Sequence, residues 1–126
     1  MPETSNQAGV AVVDDEAGLI RAYGLLFKRR NIPVAFTALD GPEAIKKFNE
    51  SNPKPKVVIV DYRLPSMSGL DLMKRILAIE PDTGIIFISG DDSVKHEAIG
   101  SGADVFMKKP ASINEIIKNV ASLLNR

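Results

Sequence analysis

The sequence predicts an α/β fold, a five-stranded parallel sheet with helices on both faces, and three observations carry that reading. Five short apolar runs, at residues 10–13, 33–36, 57–60, 85–88 and 105–107, are rich in Val, Ile or Phe. They are mostly continuous rather than alternating, as expected of parallel strands covered on both faces. Between them lie longer amphipathic stretches, giving five β-α units with no repeat and no linker, a pattern that calls for right-handed crossovers and a parallel sheet.

Each helix has its own signal. In the first, Leu19, Ile20, Tyr23, Leu26 and Phe27 recur on one face of a 3.6-residue period, and Arg29 and Arg30 place positive charge at its C-terminal end. The second covers about residues 42–50, with Pro42 in its first turn and Ala44, Ile45 and Phe48 inward. The loop holding Pro53 and Pro55 breaks the chain before the third strand. A third helix is expected over 69–79, stopping before Pro81, with Leu70, Met73, Ile76 and Leu77 inward. The fourth, over 92–100, is short and weakly apolar. The fifth carries Ile113, Ile116, Ile117, Val120 and Leu124 behind Ser112 as N-cap.

At 126 residues the chain is one domain with room for a real core. Its 44% hydrophobic and 25% charged residues exclude disorder. Sixteen basic residues against sixteen acidic ones give no bulk charge toward nucleic acid or a membrane surface. The absence of cysteine excludes disulfides and thiolate metal sites and fits a cytoplasmic location. Residues 1–8 are polar and read as a flexible tail rather than a signal peptide, leaving 9–126 as the folded domain. No apolar run approaches the roughly 18 residues of a membrane span.

Five strands favour the flavodoxin-like order 2-1-3-4-5 over the six-stranded dinucleotide-binding order. The first strand is followed by Asp14, Asp15 and Glu16 rather than a glycine-rich phosphate loop. In such sheets function gathers beyond the carboxyl ends of the strands. There strand one delivers Asp14 and Asp15, strand three Asp61, strand four Ser89, Gly90 and Asp91, and strand five Lys108, Lys109 and Pro110. Strands one, three and four are neighbours in this order, so Asp15, Asp61 and Ser89 can converge.

Crowded carboxylates repel, by roughly 4 kcal/mol per pair at about 4 Å and an effective dielectric near 20. Magnesium suits such a site, since it takes oxygen ligands and is held by one or two carboxylates plus phosphate oxygens. A carboxylate nucleophile, a metal, a hydroxyl and a lysine together make a set for phosphoryl transfer. Each has a bland reading: strand-end aspartates are often helix N-caps, Ser89 before Gly90 is ordinary turn chemistry, and a lysine before proline says little. Four such features on the right strand ends, in the right order, are harder to dismiss.

With these residues in view, the sequence resembles the receiver domains of two-component response regulators, chemotaxis-regulator-like, over about residues 9–124. Val12, Val13, Asp14, Asp15 and Glu16 resemble the acidic pair closing the family's first strand. The run from Val58 through Asp61, Pro65 and Met67 to Gly69 resembles its phosphoacceptor motif. Ser89-Gly90 and the stretch Gly102, Ala103, Phe106, Lys109, Pro110 complete the match.

The resemblance implies a phosphorylation-dependent signalling switch with a (βα)5 receiver fold. Asp61 would be the phosphoacceptor, with Asp15, Asp61 and the backbone carbonyl of Arg63 binding Mg²⁺ and Asp14 contributing through water. Ser89 would bind the phosphoryl group, and Lys109, preceding Pro110 by a usually cis bond, would be the active-site lysine. Ser89 and Phe106 would form the switch, Phe106 without the hydroxyl that a tyrosine brings. The implied partners are a histidine kinase or phosphotransfer protein and a downstream protein met through the face of the fourth helix, fifth strand and fifth helix.

Val105 stands where many winged-helix regulators have an acidic dimer residue, which weakens the case for that dimer. His96 reads as a surface residue, and Met67 and Met73 as loop and core packing. The resemblance also implies that Arg63 and Asp91 would flank the path of water to the phosphorus and tune the lifetime of the phosphorylated state, as an ion pair or as two independent charges. The competing readings are a receiver module cut from a longer regulator, a receiver-like scaffold without phosphorylation, and a haloacid-dehalogenase-type Mg²⁺-dependent phosphohydrolase. The last wants a second aspartate two residues after the nucleophile, where this chain has Arg63.

Overall fold

The structure, a computed structural model, describes residues 8–126; the expected tail at 1–8 lies, apart from Ala8, outside the described residues. Strands β1 (Val10–Val13), β2 (Val34–Ala38), β3 (Val57–Asp61), β4 (Gly84–Ser89) and β5 (Val105–Lys108) alternate with helices α1 (Ala17–Arg29), α2 (Gly41–Glu50), α3 (Gly69–Ile79), α4 (Lys95–Gly100) and α5 (Ile113–Leu124). The strands form one parallel sheet in the order β2-β1-β3-β4-β5, as the sequence predicts.

The continuous apolar strands bury both faces because the pleat sends neighbouring residues to opposite sides. Ala11, Val13, Val58, Val60, Ile85 and Phe87 meet Phe48, Leu72, Met73, Ile76 and Ala98 on one face. Val10, Val12, Val57, Ile59, Ile86 and Ile88 meet Tyr23, Phe27, Ile116, Ile117, Val120 and Leu123 on the other. Burying each of the large side chains stabilises the fold by about 1.5–3 kcal/mol relative to exposure. A single-residue slip of β3 would exchange the two sets, so the register is strongly specified.

Three helices start on side-chain caps, which satisfy amide groups that have no partner inside the helix. The Asp40 carboxylate accepts from the Glu43 amide at 2.8 Å, Ser68 from Asp71 at 3.2 Å and Ser112 from Glu115 at 3.4 Å. Glu43 reaches back to the Leu39 amide at 2.7 Å.

Several boundaries move by one residue, and two elements depart further from the sequence reading. Strand β2 occupies Val34–Ala38 rather than 33–36. Pro33 has no N–H to donate, and its carbonyl accepts from Val10 at 2.9 Å just before an irregularity in the β1–β2 register. The expected fourth helix at 92–100 divides into a 3₁₀ turn, Asp92–Val94, and α4. The Asp91 carboxylate accepts from the Ser93 amide at 2.9 Å and tightens that first turn. Among the described residues no helix is long and apolar enough to cross a membrane.

Candidate functional site

Parallel strands end on the same side of a sheet, so β1, β3, β4 and β5 place their C-terminal residues around one crevice. Asp14 and Asp61 are each only 4% exposed, while Asp15 is exposed. One carboxylate oxygen from each of the three lies within 4.8 Å of the others. Asp14 is oriented from its own chain, its Oδ1 accepting from the Glu16 amide at 2.9 Å.

Lys109 enters this group from the end of β5. Its Nζ stands 3.0 Å from Asp61 Oδ1, and 4.0 Å from both Asp14 Oδ2 and Glu16 Oε1. One cation therefore faces four carboxylates, counting Asp15, and negative charge remains in excess. Burial, foremost, holds the Asp61 carboxyl above its ordinary value; the Lys109 hydrogen bond opposes this, and the charges of Asp14 and Asp15 add to it. Asp14 is raised for the same leading reason, against its hydrogen bond from Glu16. Desolvation lowers Lys109, but its hydrogen bond to Asp61 and the surrounding carboxylates together hold it above its ordinary value.

Several residues around this centre were not given roles by the sequence. The Tyr23 phenol is pushed up to about 12 by burial and by the charges of Asp14, Asp61 and Glu16. Glu16 is a third partner of Lys109, and Lys108 pairs with Asp92 at 2.9 Å. Only three-dimensional packing brings these groups together, although Glu16 was visible beside the acidic pair.

The loop after Asp61 is shaped by a close approach. A Cβ on Gly69 would lie 2.3 Å from the Asp61 carbonyl oxygen, and its amide donates to the Tyr62 carbonyl at 2.8 Å. Only glycine fits there. Asp15, Arg63, Pro65 and Met67 are among the residues bordering an open cleft of about 690 Å³ beside this loop. Among the described residues, nothing donates a hydrogen bond to the Arg63 carbonyl.

Ser89 is 2% exposed, and its hydroxyl is engaged with its own loop. It accepts from the Asp91 amide at 2.9 Å and donates to the Asp91 carbonyl at 3.2 Å. Phe106 is half-buried on β5, its ring stacked 6.2 Å from Phe87. The Lys109–Pro110 peptide is cis. Arg63 and Asp91 are not within the 4.0 Å of an ion pair; hydrogen bonds from Ser93 lead in holding Asp91 below its ordinary value, with Arg63 and Lys108 adding to them. His96 is exposed, and Met73 is fully buried in the core.

A partly buried oxygen-donor set with excess negative charge has the makeup of a hard divalent-cation site, and three of its members lie close enough to share one ion. These features define a class by architecture: a (βα)5 fold with a 2-1-3-4-5 sheet and an acidic pocket, with one lysine, at the carboxyl ends of its strands. The chain belongs to the response regulator receiver domain family, whose model matches residues 10–121. It is 33% identical to the chemotaxis protein CheY of Thermotoga maritima over 86% of this chain and 91% of that protein. It is 34% identical to the transcriptional regulatory protein TrcR of Mycobacterium tuberculosis over 93% of this chain and 45% of TrcR. The chain thus spans about half the length of several of the curated relatives it matches. Among solved structures, the CheX-CheY-BeF3-Mg complex of Borrelia burgdorferi superimposes with a TM-score of 0.84 at 25% identity, covering 98% of this chain and 93% of that one.

Proposed function

We propose that this chain is a phosphorylation-dependent switch that takes a phosphoryl group on Asp61 from a phosphohistidine of a histidine kinase or phosphotransfer protein. The observation that carries the reading is the buried Asp61 carboxylate, held 3.0 Å from Lys109 within the Asp14–Asp15–Asp61 group. An Asp61 oxygen attacks phosphorus, the P–N bond breaks, and its electron pair leaves with the imidazole. Lys109 is already aimed at the carboxylate and pairs with phosphoryl oxygens after transfer. The donor set fits Mg²⁺, with Asp15, Asp61 and the free Arg63 carbonyl as ligands and Asp14 contributing through water. When bound, Mg²⁺ supplies the positive charge that offsets the carboxylates and the phosphoryl oxygens.

Once phosphorylated, the site offers the Ser89 hydroxyl a partner better than its own loop, because hydrogen bonds to charged oxygens are the stronger kind. Movement of Ser89 opens space for the Phe106 ring, which now stacks on Phe87. That is a population shift read out on the α4–β5–α5 face by a protein partner. Arg63 and Asp91 set the lifetime of the phosphorylated state as separate charges at the mouth of the site. On this reading the chain works in the cytoplasm as a receiver acting through protein–protein contacts or as a relay intermediate, and catalyses only its own phosphorylation and dephosphorylation.

Phosphotransfer from a phosphorylated histidine-containing domain, followed by backbone amide shifts, tests this function. Label should pass to the wild type and not to Asp61→Asn, and beryllofluoride should shift amides along residues 90–110. Shifts confined to the Asp61 pocket would argue against a switch.

A further inference from the structure

We propose that Lys108 and Asp92 form a latch that holds the β4–α4 loop in the conformation in which Ser89 is withheld from Asp61. The proposal rests on the switch reading above, and it assigns a positioning role to two residues outside the phosphoryl site.

The loop is closed on itself and then stapled to β5. Both hydrogen bonds of the Ser89 hydroxyl go to the Asp91 backbone, and the Asp91 carboxylate accepts from Ser93. Among the described residues the Ser89 hydroxyl makes no hydrogen bond to Asp61. Next in the chain, Asp92 accepts from Lys108 Nζ at 2.9 Å, across sixteen residues of sequence. The Lys109 amide donates to the Ser89 carbonyl at 2.9 Å, so the same two lysines fix the loop through backbone and side chain.

Adjacent residues at a strand end point to opposite sides. The Lys109 ammonium turns to Asp61 and the Lys108 ammonium to Asp92. When Ser89 turns toward a phosphoryl group the Asp91 amide loses its partner, and the segment that readjusts to this loss, 89–92, is the one Lys108 holds. Gly90 lies inside that segment, and the lack of a Cβ gives its backbone the freedom for such a change. The ion pair favours the unphosphorylated conformation, so its loss favours the active one. The pair is well over half exposed on each side, so the effect is modest and weakened by salt.

The test is the affinity of the full chain for beryllofluoride in Mg²⁺, by titration at low and high salt. Lys108→Gln and Asp92→Asn should each tighten binding about two- to five-fold at low salt. The double variant should show no more than either single change, as expected of one shared interaction. The exchanged pair, Lys108→Asp with Asp92→Lys, should return toward wild-type affinity. Glu43→Gln, which breaks the pair with Lys47 on α2 and makes the same change in net charge as Asp92→Asn, should change nothing. Unaltered affinity in both single variants, or fully additive effects, would overturn the latch while leaving the switch reading intact. A wild type that binds no beryllofluoride would overturn the switch reading itself, and the latch with it.

Discussion

Replacing Asp61 by Asn should stabilise the fold at neutral pH. Asp61 is 4% exposed, and taking a carboxylate out of water costs several kcal/mol. Asp14 stands within 4.8 Å, adding repulsion of about 3 kcal/mol at an effective dielectric near 20. Against these, Lys109 at 3.0 Å returns about 5 kcal/mol on the same scale. The raised carboxyl value says that the unfavourable terms win. A folded-state value above the unfolded one means that the contribution of Asp61 to stability is complete below its ordinary 3.8 and is lost as pH rises through the folded value. Asn escapes that loss, while Lys109 keeps Asp14 and Glu16 as neighbours at 4.0 Å. The net gain is about 1–2 kcal/mol at pH 7, or a few degrees in Tm. Urea unfolding in EDTA, followed by the midpoint at constant slope, measures it. At a pH well below 3.8 the two proteins should converge. A less stable Asp61→Asn at pH 7, or a difference independent of pH, would refute the reasoning.

Three further outcomes are expected. Lys109→Gln leaves Asp61 charged, buried and unpaired; unfolding experiments should show about 1–3 kcal/mol of destabilisation at pH 7, shrinking as pH falls and the carboxylates protonate. Gly69→Ala drives a methyl into the Asp61 carbonyl and should cost about 1–3 kcal/mol, with slower labelling by acetyl phosphate; wild-type stability would show that the loop can give way. Asp15→Asn should weaken the Mg²⁺-dependent rise in the urea midpoint, each tenfold loss of affinity removing about 1.4 kcal/mol; an unchanged rise would remove Asp15 from the cation site.

The strands were legible because the continuous runs at 10–13 and 57–60 suit only elements buried on both faces. The approach of Asp15 to Asp61 followed from topology, since parallel strands bring their ends together, whereas the Ser89 hydroxyl, expected to join them, bonds its own loop. Less was legible where local polarity decides. The C-terminal end of β2 was hidden because Thr37 and Ala38 carry little apolar signal and β2 is an edge strand paired only with β1. The break between the 3₁₀ turn and α4 depends on the Asp91 carboxylate, whose bond to Ser93 competes with helix formation. Tyr23 reads in sequence as one more apolar position on α1, and its place in the field of Asp14 and Asp61 depends on how α1 packs on the sheet. Lys108 and Lys109 are chemically identical; Pro110 suggested which faces the site, but the partner of Lys108 emerged only from the fold.

Intact-mass measurement after incubation with acetyl phosphate tests the central claim most directly. The wild type should gain the mass of one phosphoryl group in the presence of Mg²⁺ and none in EDTA, and Asp61→Asn should gain none in either. Stoichiometric labelling of Asp61→Asn, or a wild type that stays unmodified in Mg²⁺, would contradict the assignment of Asp61 as the phosphoacceptor.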